Sequence, residues 1–159
     1  MKGTEQIQYM TRALELARQG AGLASPNPMV GAVLVRDGEI VGEAFHIFEM
    51  IKHAEVIALE EAGERARGAT LYCSLEPCCH YGRTAPCTDA LIEAGIAQAV
   101  IAIVDNDARV SGRGIEQLRN AGIDVIVGIC QEEAYELNRT YFESREERAG
   151  QTAESPTSK

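Results

Sequence analysis

The 159-residue chain lacks the features that mark membrane-spanning and disulfide-stabilised secreted proteins. No apolar run approaches the roughly 20 residues that span a bilayer, and no basic segment followed by an apolar one opens the sequence. Five cysteines, an odd number, argue against a disulfide framework and for a reducing compartment. We therefore expect a cytoplasmic protein.

Basic residues are also scarce: 15 Lys and Arg stand against 24 Asp and Glu, and the formal net charge is −9. A phosphate polymer is bound mainly through Lys and Arg, so this balance disfavours a polynucleotide partner. Part of the acidity lies in a predicted helix around Glu60, Glu61 and Glu64 and in the C-terminal region. The composition therefore favours a small-molecule partner and still allows a local basic pocket for one phosphate.

The chain has no internal repeat, and its length and 45% hydrophobic content fit one core. We predict one domain over residues 1–145. Residues 146–159 are rich in Glu, Ser, Thr and Gly and poor in large apolar residues, so we expect a disordered tail there.

Apolar periodicity predicts an alternating series of helices and strands. The predicted helices cover residues 4–19, 53–66, 86–94, 114–121 and 132–143, and the predicted strands cover 29–35, 39–45, 69–75, 97–104 and 123–128. Asp37-Gly38 predicts a hairpin between the first two strands, whereas helical crossovers predict that the last three strands are parallel. We predict an α/β fold, a three-layer α/β/α domain with a mixed five-stranded sheet.

One motif carries chemistry. A His-Ala-Glu sequence from His53 to Glu55 is followed by a Pro-Cys pair that ends at Cys78 and, after eight further residues, by Cys87. An imidazole and two thiolates can hold Zn²⁺ and leave a fourth position for water, while a nearby carboxylate shuttles protons. This combination is the signature of zinc-dependent deaminases. It predicts His53, Cys78 and Cys87 as zinc ligands and Glu55 as the catalytic acid–base group.

The competing interpretation is a core histidine with cysteines that serve as small apolar residues. Cys73 and Cys130 fit that interpretation. Cys79 adjoins a predicted ligand, but we prefer Cys78 because it directly follows the proline. We also predict that Cys78 begins the next helix, where the helix dipole favours the thiolate.

Longer segments of the chain closely resemble the deaminase of riboflavin biosynthesis. The resemblance extends to about Phe142 and rests on residues 25–33, 46, 53–55, 75–84 and 112–114. It implies a cytidine deaminase-like fold, Zn²⁺ as cofactor, and hydrolytic loss of an amino group from a diaminopyrimidinone ribosylamino 5′-phosphate. It also suggests a homodimer or homotetramer.

The predicted substrate-binding residues are Asn27, His46, His80, Arg83, Asp105 and Asp107. Asn27 lies on a proline-flanked turn, where its amide could read a sugar or base edge or merely stabilise the turn. The family match favours binding. It also implies that His46, His80 and Arg83 bind the 5′-phosphate, for which Arg supplies a forked donor.

Two segments depart from the family pattern. The family has Asp-Pro-Asn-Pro where this chain has Asp105-Asn106-Asp107-Ala108, and an ionised Asp accepts hydrogen bonds but donates none. Met50 replaces a family glycine before the His-Ala-Glu motif. Both changes favour a second hypothesis, a related deaminase of another small aminopyrimidine, aminopurine or pterin-like molecule. The retained phosphate-binding residues argue against it.

A third hypothesis is a non-catalytic module that zinc merely stabilises. Glu55 argues against it, because structural zinc sites close with four protein ligands and need no acid–base group. In the riboflavin family the deaminase is often fused to an NADPH-dependent reductase. We expect no fused reductase here, and a separate reductase that receives the product.

Overall fold

Five strands assemble into one mixed sheet. The structure, a computed structural model, describes residues 2–154. The strands are β1 (Gly31–Arg36), β2 (Glu39–Phe45), β3 (Thr70–Cys73), β4 (Gln98–Ile101) and β5 (Asp124–Val127), in the order β2-β1-β3-β4-β5. β1 is antiparallel to β2 and β3, whereas β3, β4 and β5 are mutually parallel. The predicted mixed sheet with three parallel final strands is therefore confirmed.

The β1–β2 hairpin turns at Asp37 and Gly38, whose φ angles are 52° and 78°. Positive φ at both central residues defines the mirror-image turn whose twist matches that of paired strands. The predicted hairpin is confirmed.

Helices connect and cover the strands. They are α1 (Lys2–Gln19), α2 (Ala54–Ala62), α3 (Cys87–Ala94), α4 (Arg113–Asn120), α5 (Gln131–Leu137) and α6 (Arg139–Glu154), with short 3-10 helices at Phe48–Met50 and Gly63–Ala66. None of the helices within residues 2–154 combines the length and the apolar character needed to cross a membrane.

The alternation of side chains along β1 explains the layers. Leu34 faces a buried cluster that includes Ala58 of α2, Leu91 of α3 and Leu118 of α4. Val33 faces the other cluster, to which α1 and α5 contribute. The sheet is thus covered on both faces, and the predicted α/β/α fold is confirmed.

The C-terminal region differs from the prediction of one helix over residues 132–143. The helix breaks at Asn138, a buried residue whose side-chain amide accepts from Met29 N and donates to Met29 O, both at 2.8 Å. These bonds to the segment before β1 separate α5 from α6. The predicted tail differs as well, because residues 146–154 continue α6, and their Glu, Arg, Ala and Gln residues have high helix propensity. Residues 155–159 lie outside the described residues.

Candidate active site

Segments that leave the carboxyl ends of β3 and β4 line a cavity of about 320 Å³. The start of α2, the turn before β1, the segment between β2 and α2, and α6 also contribute to its wall. A crevice at the carboxyl ends of parallel strands is the usual ligand site of α/β sheets. All of the predicted site residues except Cys87 line this cavity, and Cys87 contacts two that do.

The three predicted zinc ligands form one cluster. His53 is the N-cap residue of α2, and its Nδ1 lies 3.1 Å from Cys87 Sγ and 3.6 Å from Cys78 Sγ. The donor atoms of all three residues lie within 4.8 Å of one another. One imidazole with two thiolates is a donor set that suits Zn²⁺.

The placement of Cys78 corrects one prediction. Cys87, not Cys78, is the first residue of α3, and Cys78 lies in the loop after β3. The helix start still acts on Cys78, because the backbone N–H of Cys87 donates to Cys78 Sγ at 3.3 Å. Hydrogen bonds from the Cys87 thiol, the His53 ring and this N–H lower the pKa of Cys78 to about 4.

Glu55 lies beside the cluster on the first turn of α2 and is only 4% exposed. Burial raises the pKa of its carboxyl group. Its Oε1 is buried and has no hydrogen-bond partner among the described residues. A buried, unpaired carboxylate oxygen is costly, so this oxygen is suited to bond a molecule that enters the cavity. This orphan oxygen and the adjacent donor set fit a zinc ion with its water.

Asn27 and His46 form a pair beside the zinc-ligand cluster, where the His46 ring centroid lies 5.1 Å from that of His53. Asn27 Nδ2 lies 2.9 Å from His46 Nε2, and His46 Nδ1 lies 3.3 Å from Lys52 O. Both contacts are satisfied when His46 is neutral, donates from Nδ1 and accepts at Nε2. Burial lowers the pKa of His46, which favours that form. His46 therefore orients the Asn27 amide, and its predicted phosphate contact stays a prediction.

His80 and Arg83 lie on the loop between the two cysteine ligands. Arg83 Nη2 donates to Phe48 O at 2.8 Å, and its guanidinium stacks 4.0 Å from the Phe48 ring centroid. Within the described residues, His80 Nδ1 is buried without a partner. Both side chains line the cavity.

The loop after β4 carries Asp105 and Asp107. Asp105 Oδ1 accepts hydrogen bonds from the backbone N–H of Asp107 at 2.9 Å and from the Tyr141 hydroxyl at 2.8 Å. Asp107 instead pairs with Arg109, whose hydrogen bonds hold the pKa of the Asp107 carboxyl well below its usual range. Asp107 is therefore ionised at neutral pH.

Tyr141, Arg145, Arg109 and Glu76 also line the cavity, and the sequence did not point to them. Tyr141 and Arg145 are four residues apart on α6 and so share a helix face, but only the packing of α6 decides which face meets the cavity. Glu76 stands directly before the Pro-Cys pair, a position that could have suggested its role.

The Glu76 carboxylate accepts hydrogen bonds that connect the segments of the site. Its Oε1 accepts from Asp105 N at 3.1 Å and Gly112 N at 2.9 Å, and its Oε2 accepts from Gly114 N at 2.9 Å and Ile115 N at 3.2 Å. One buried carboxylate thus connects the zinc-ligand loop with the β4 loop and the start of α4.

A His-Cys-Cys cluster beside a buried glutamate, in a three-layer α/β/α domain, defines the class of zinc-dependent deaminases. The family model described as the cytidine and deoxycytidylate deaminase zinc-binding region matches residues 4–117, and the chain belongs to this family.

Similar proteins indicate which group of deaminases the chain resembles. A diaminohydroxyphosphoribosylamino-pyrimidine deaminase of Buchnera aphidicola is 46% identical over 134 residues, which cover 84% of this chain and 91% of that protein. The riboflavin biosynthesis protein RibD of Aquifex aeolicus is 56% identical over 84% of this chain, which spans only 38% of the RibD length. The structure of Acinetobacter baumannii RibD matches with a TM-score of 0.89 at 44% identity, covering 91% of this chain and 41% of that one. The predicted resemblance to the riboflavin-pathway deaminases is confirmed.

Proposed function

We propose that this chain is a zinc-dependent hydrolytic deaminase of the diaminopyrimidinone ribosylamino 5′-phosphate of riboflavin biosynthesis. The observation that carries the proposal is the unpartnered Glu55 oxygen beside the His53, Cys78 and Cys87 cluster. The Buchnera aphidicola relative, a diaminohydroxyphosphoribosylamino-pyrimidine deaminase of which this chain covers 91%, supports the substrate.

His53, Cys78 and Cys87 would hold the metal, which supplies Lewis-acid activation of water when bound. Glu55 accepts a proton from the attacking water as the oxygen adds to the ring carbon that bears the amino group. Glu55 passes that proton to the ring nitrogen, then takes the second proton from the new hydroxyl group as the carbonyl forms and gives it to the departing amine, which leaves as ammonia. The raised pKa of Glu55 suits this role, because a proton shuttle works best when its pKa is near the working pH.

Substrate orientation would come from the cavity walls. His80 and Arg83 present nitrogen donors that suit a 5′-phosphate. Asn27, held by His46, presents the remaining polar groups of its amide to the base or sugar.

A second candidate is a related deaminase that acts on another small aminopyrimidine, aminopurine or pterin-like molecule. Met50 and Ile51 favour it. Ile51 lines the cavity with a φ of 67°, a left-handed backbone conformation that is rare for a β-branched residue, and Met50 stands beside it where the family has glycine. A non-catalytic zinc module is less well supported, because the cluster found among the described residues has three protein donors.

The partner proposals follow from the family. We propose that an NADPH-dependent reductase consumes the product and that the chain forms a homodimer or homotetramer. Measurement of the molar mass in solution and a coupled assay with an added NADPH-dependent reductase would test them.

The deciding experiment measures ammonia released by purified protein of known zinc content. The diaminopyrimidinone ribosylamino 5′-phosphate is offered beside cytidine, adenosine and guanine. Release from the riboflavin intermediate alone supports the proposal. Release from a control compound, with none from the intermediate, favours the second candidate. A zinc-loaded protein that deaminates none of these compounds contradicts the proposed substrate.

A further inference from the structure

Asp107 does not face the cavity as a free acceptor. Its Oδ1 accepts from the backbone N–H of Arg109 at 2.9 Å and from Arg109 Nε at 3.0 Å. Its Oδ2 accepts from Arg109 Nη2 at 2.8 Å and lies 3.4 Å from Arg145 Nε. The three Arg109 contacts are hydrogen bonds and the Arg145 contact is an ion pair, so both carboxylate oxygens are engaged.

The Arg109 guanidinium has N–H donors that Asp107 does not use. Its side chain is 64% exposed and lines the cavity, whereas the Asp107 side chain is 10% exposed. The Asp107 carboxylate engages one Nε–H and one Nη2–H, and a guanidinium carries five N–H donors. Arg109 Nη1 makes no hydrogen bond to the other described residues. The donors that remain are therefore available to a ligand in the cavity.

The geometry points to Arg109 as a substrate-binding residue, and to Asp107 as the positioning residue that holds its guanidinium against the cavity wall. This inference rests on the proposed function and deepens it. The family's asparagine offers an amide donor at position 107, and here the Asp107–Arg109 pair supplies a guanidinium donor instead. The target is an acceptor oxygen of the substrate, either on the phosphate or on the ring and sugar.

Two features make the pair suitable for this task. Bidentate bonding to Asp107 fixes the planar fork before the substrate arrives, so little side-chain freedom is lost on binding. The pair as a whole is neutral, so the aspartate does not repel an anionic substrate. Arg145 reinforces it from α6, where it also stacks 4.5 Å from the Tyr141 ring centroid.

The test is a double-mutant cycle of Asp107→Asn and Arg109→Gln, read as KM and kcat for ammonia release. We expect Arg109→Gln to raise KM about tenfold, the loss of one charge-assisted hydrogen bond, and to change kcat less than about twofold. Asp107→Asn should raise KM less, because its amide supplies a donor. The double variant should have a lower KM than Arg109→Gln alone, because a neutral amide replaces an aspartate that has lost its Arg109 partner.

The matched control is Arg36→Gln, which breaks another Arg–Asp pair, that of Arg36 with Asp37 at 3.9 Å, outside the cavity. It should leave KM and kcat unchanged. Thermal unfolding of each variant checks that the KM changes do not reflect a folding defect. The same cycle on the substrate without its 5′-phosphate locates the contact, because the Arg109→Gln penalty disappears there only if Arg109 binds the phosphate.

The opposite pattern overturns the inference. If Asp107→Asn costs more than Arg109→Gln and the double variant recovers nothing, Asp107 itself binds substrate as an acceptor. Binding of the same compound to a Glu55→Gln background reports Kd without turnover. Tight binding that Arg109→Gln leaves unchanged contradicts this inference alone. Absence of any binding contradicts the proposed function as well.

Discussion

Glu76→Gln should destabilise the protein more than any conservative surface change. Each Glu76 oxygen accepts two backbone N–H bonds, from Asp105 and Gly112 at Oε1 and from Gly114 and Ile115 at Oε2. Glutamine keeps one carbonyl oxygen and turns an NH₂ group toward the other two donors. A hydrogen bond to a charged group contributes about 1.5–3 kcal/mol, so two lost bonds cost about 3–6 kcal/mol. That is a large fraction of the roughly 5–15 kcal/mol that typically stabilises a domain.

Urea unfolding at fixed zinc concentration measures this cost, because bound metal adds its own stabilisation. Glu61→Gln, on the exposed face of α2, is the matched control and should change the free energy of unfolding by less than about 0.5 kcal/mol. A loss below about 1 kcal/mol in Glu76→Gln would refute the reasoning. It would mean that the zinc-ligand loop, the β4 loop and the start of α4 hold their arrangement without this carboxylate.

Three further predictions follow from single groups. Glu55→Gln should retain zinc and thermal stability but lose about 10²–10⁴-fold in kcat, measured by ammonia release and metal analysis; near-normal turnover would remove Glu55 from proton transfer. Gly114→Ala should destabilise the fold by about 1–3 kcal/mol in urea unfolding, because its Cβ would lie 2.3 Å from Pro77 O; an unchanged midpoint would contradict the close approach. Because the pKa of Asp107 is lowered in the folded state, its contribution to stability is present above the unfolded value near 3.8 and is lost as pH falls below it. Asp107→Asn should reduce this acid-dependent loss of unfolding free energy by about 1 kcal/mol or less, since Arg109 is largely exposed. An unfolding free energy with the same pH dependence in both proteins would argue against the pair.

Local sequence patterns were sufficient to predict the sheet. Apolar runs predicted the strands, and Asp37-Gly38 predicted the hairpin between the first two. The helices between the last three strands predicted their parallel pairing. The cluster of His53, Cys78 and Cys87 was also predictable, because a metal site with an acid–base group restricts both residue type and spacing. The helix break at Asn138 was not predictable, because it depends on two hydrogen bonds to Met29, which is distant in sequence.

The cavity wall shows the same limit. Asp107 looked like a lost donor in sequence, since an isolated aspartate only accepts hydrogen bonds. Its partner Arg109 is two residues away, and nothing in that spacing requires a bidentate pair. Arg145 and Tyr141 reach the same wall from α6, across more than thirty residues of chain.

The sequence by itself determined the fold class and predicted the reaction chemistry, because both depend on short-range features: hydrophobic periodicity and ligand types at fixed spacing. Only the tertiary structure decided which groups complete the site. It placed Cys87 rather than Cys78 at the start of α3, brought four backbone donors to Glu76, and paired the Asp107 carboxylate with the Arg109 guanidinium. The physical reason is that hydrogen bonds and ion pairs depend on distances between atoms, and packing sets those distances for residues far apart in the chain.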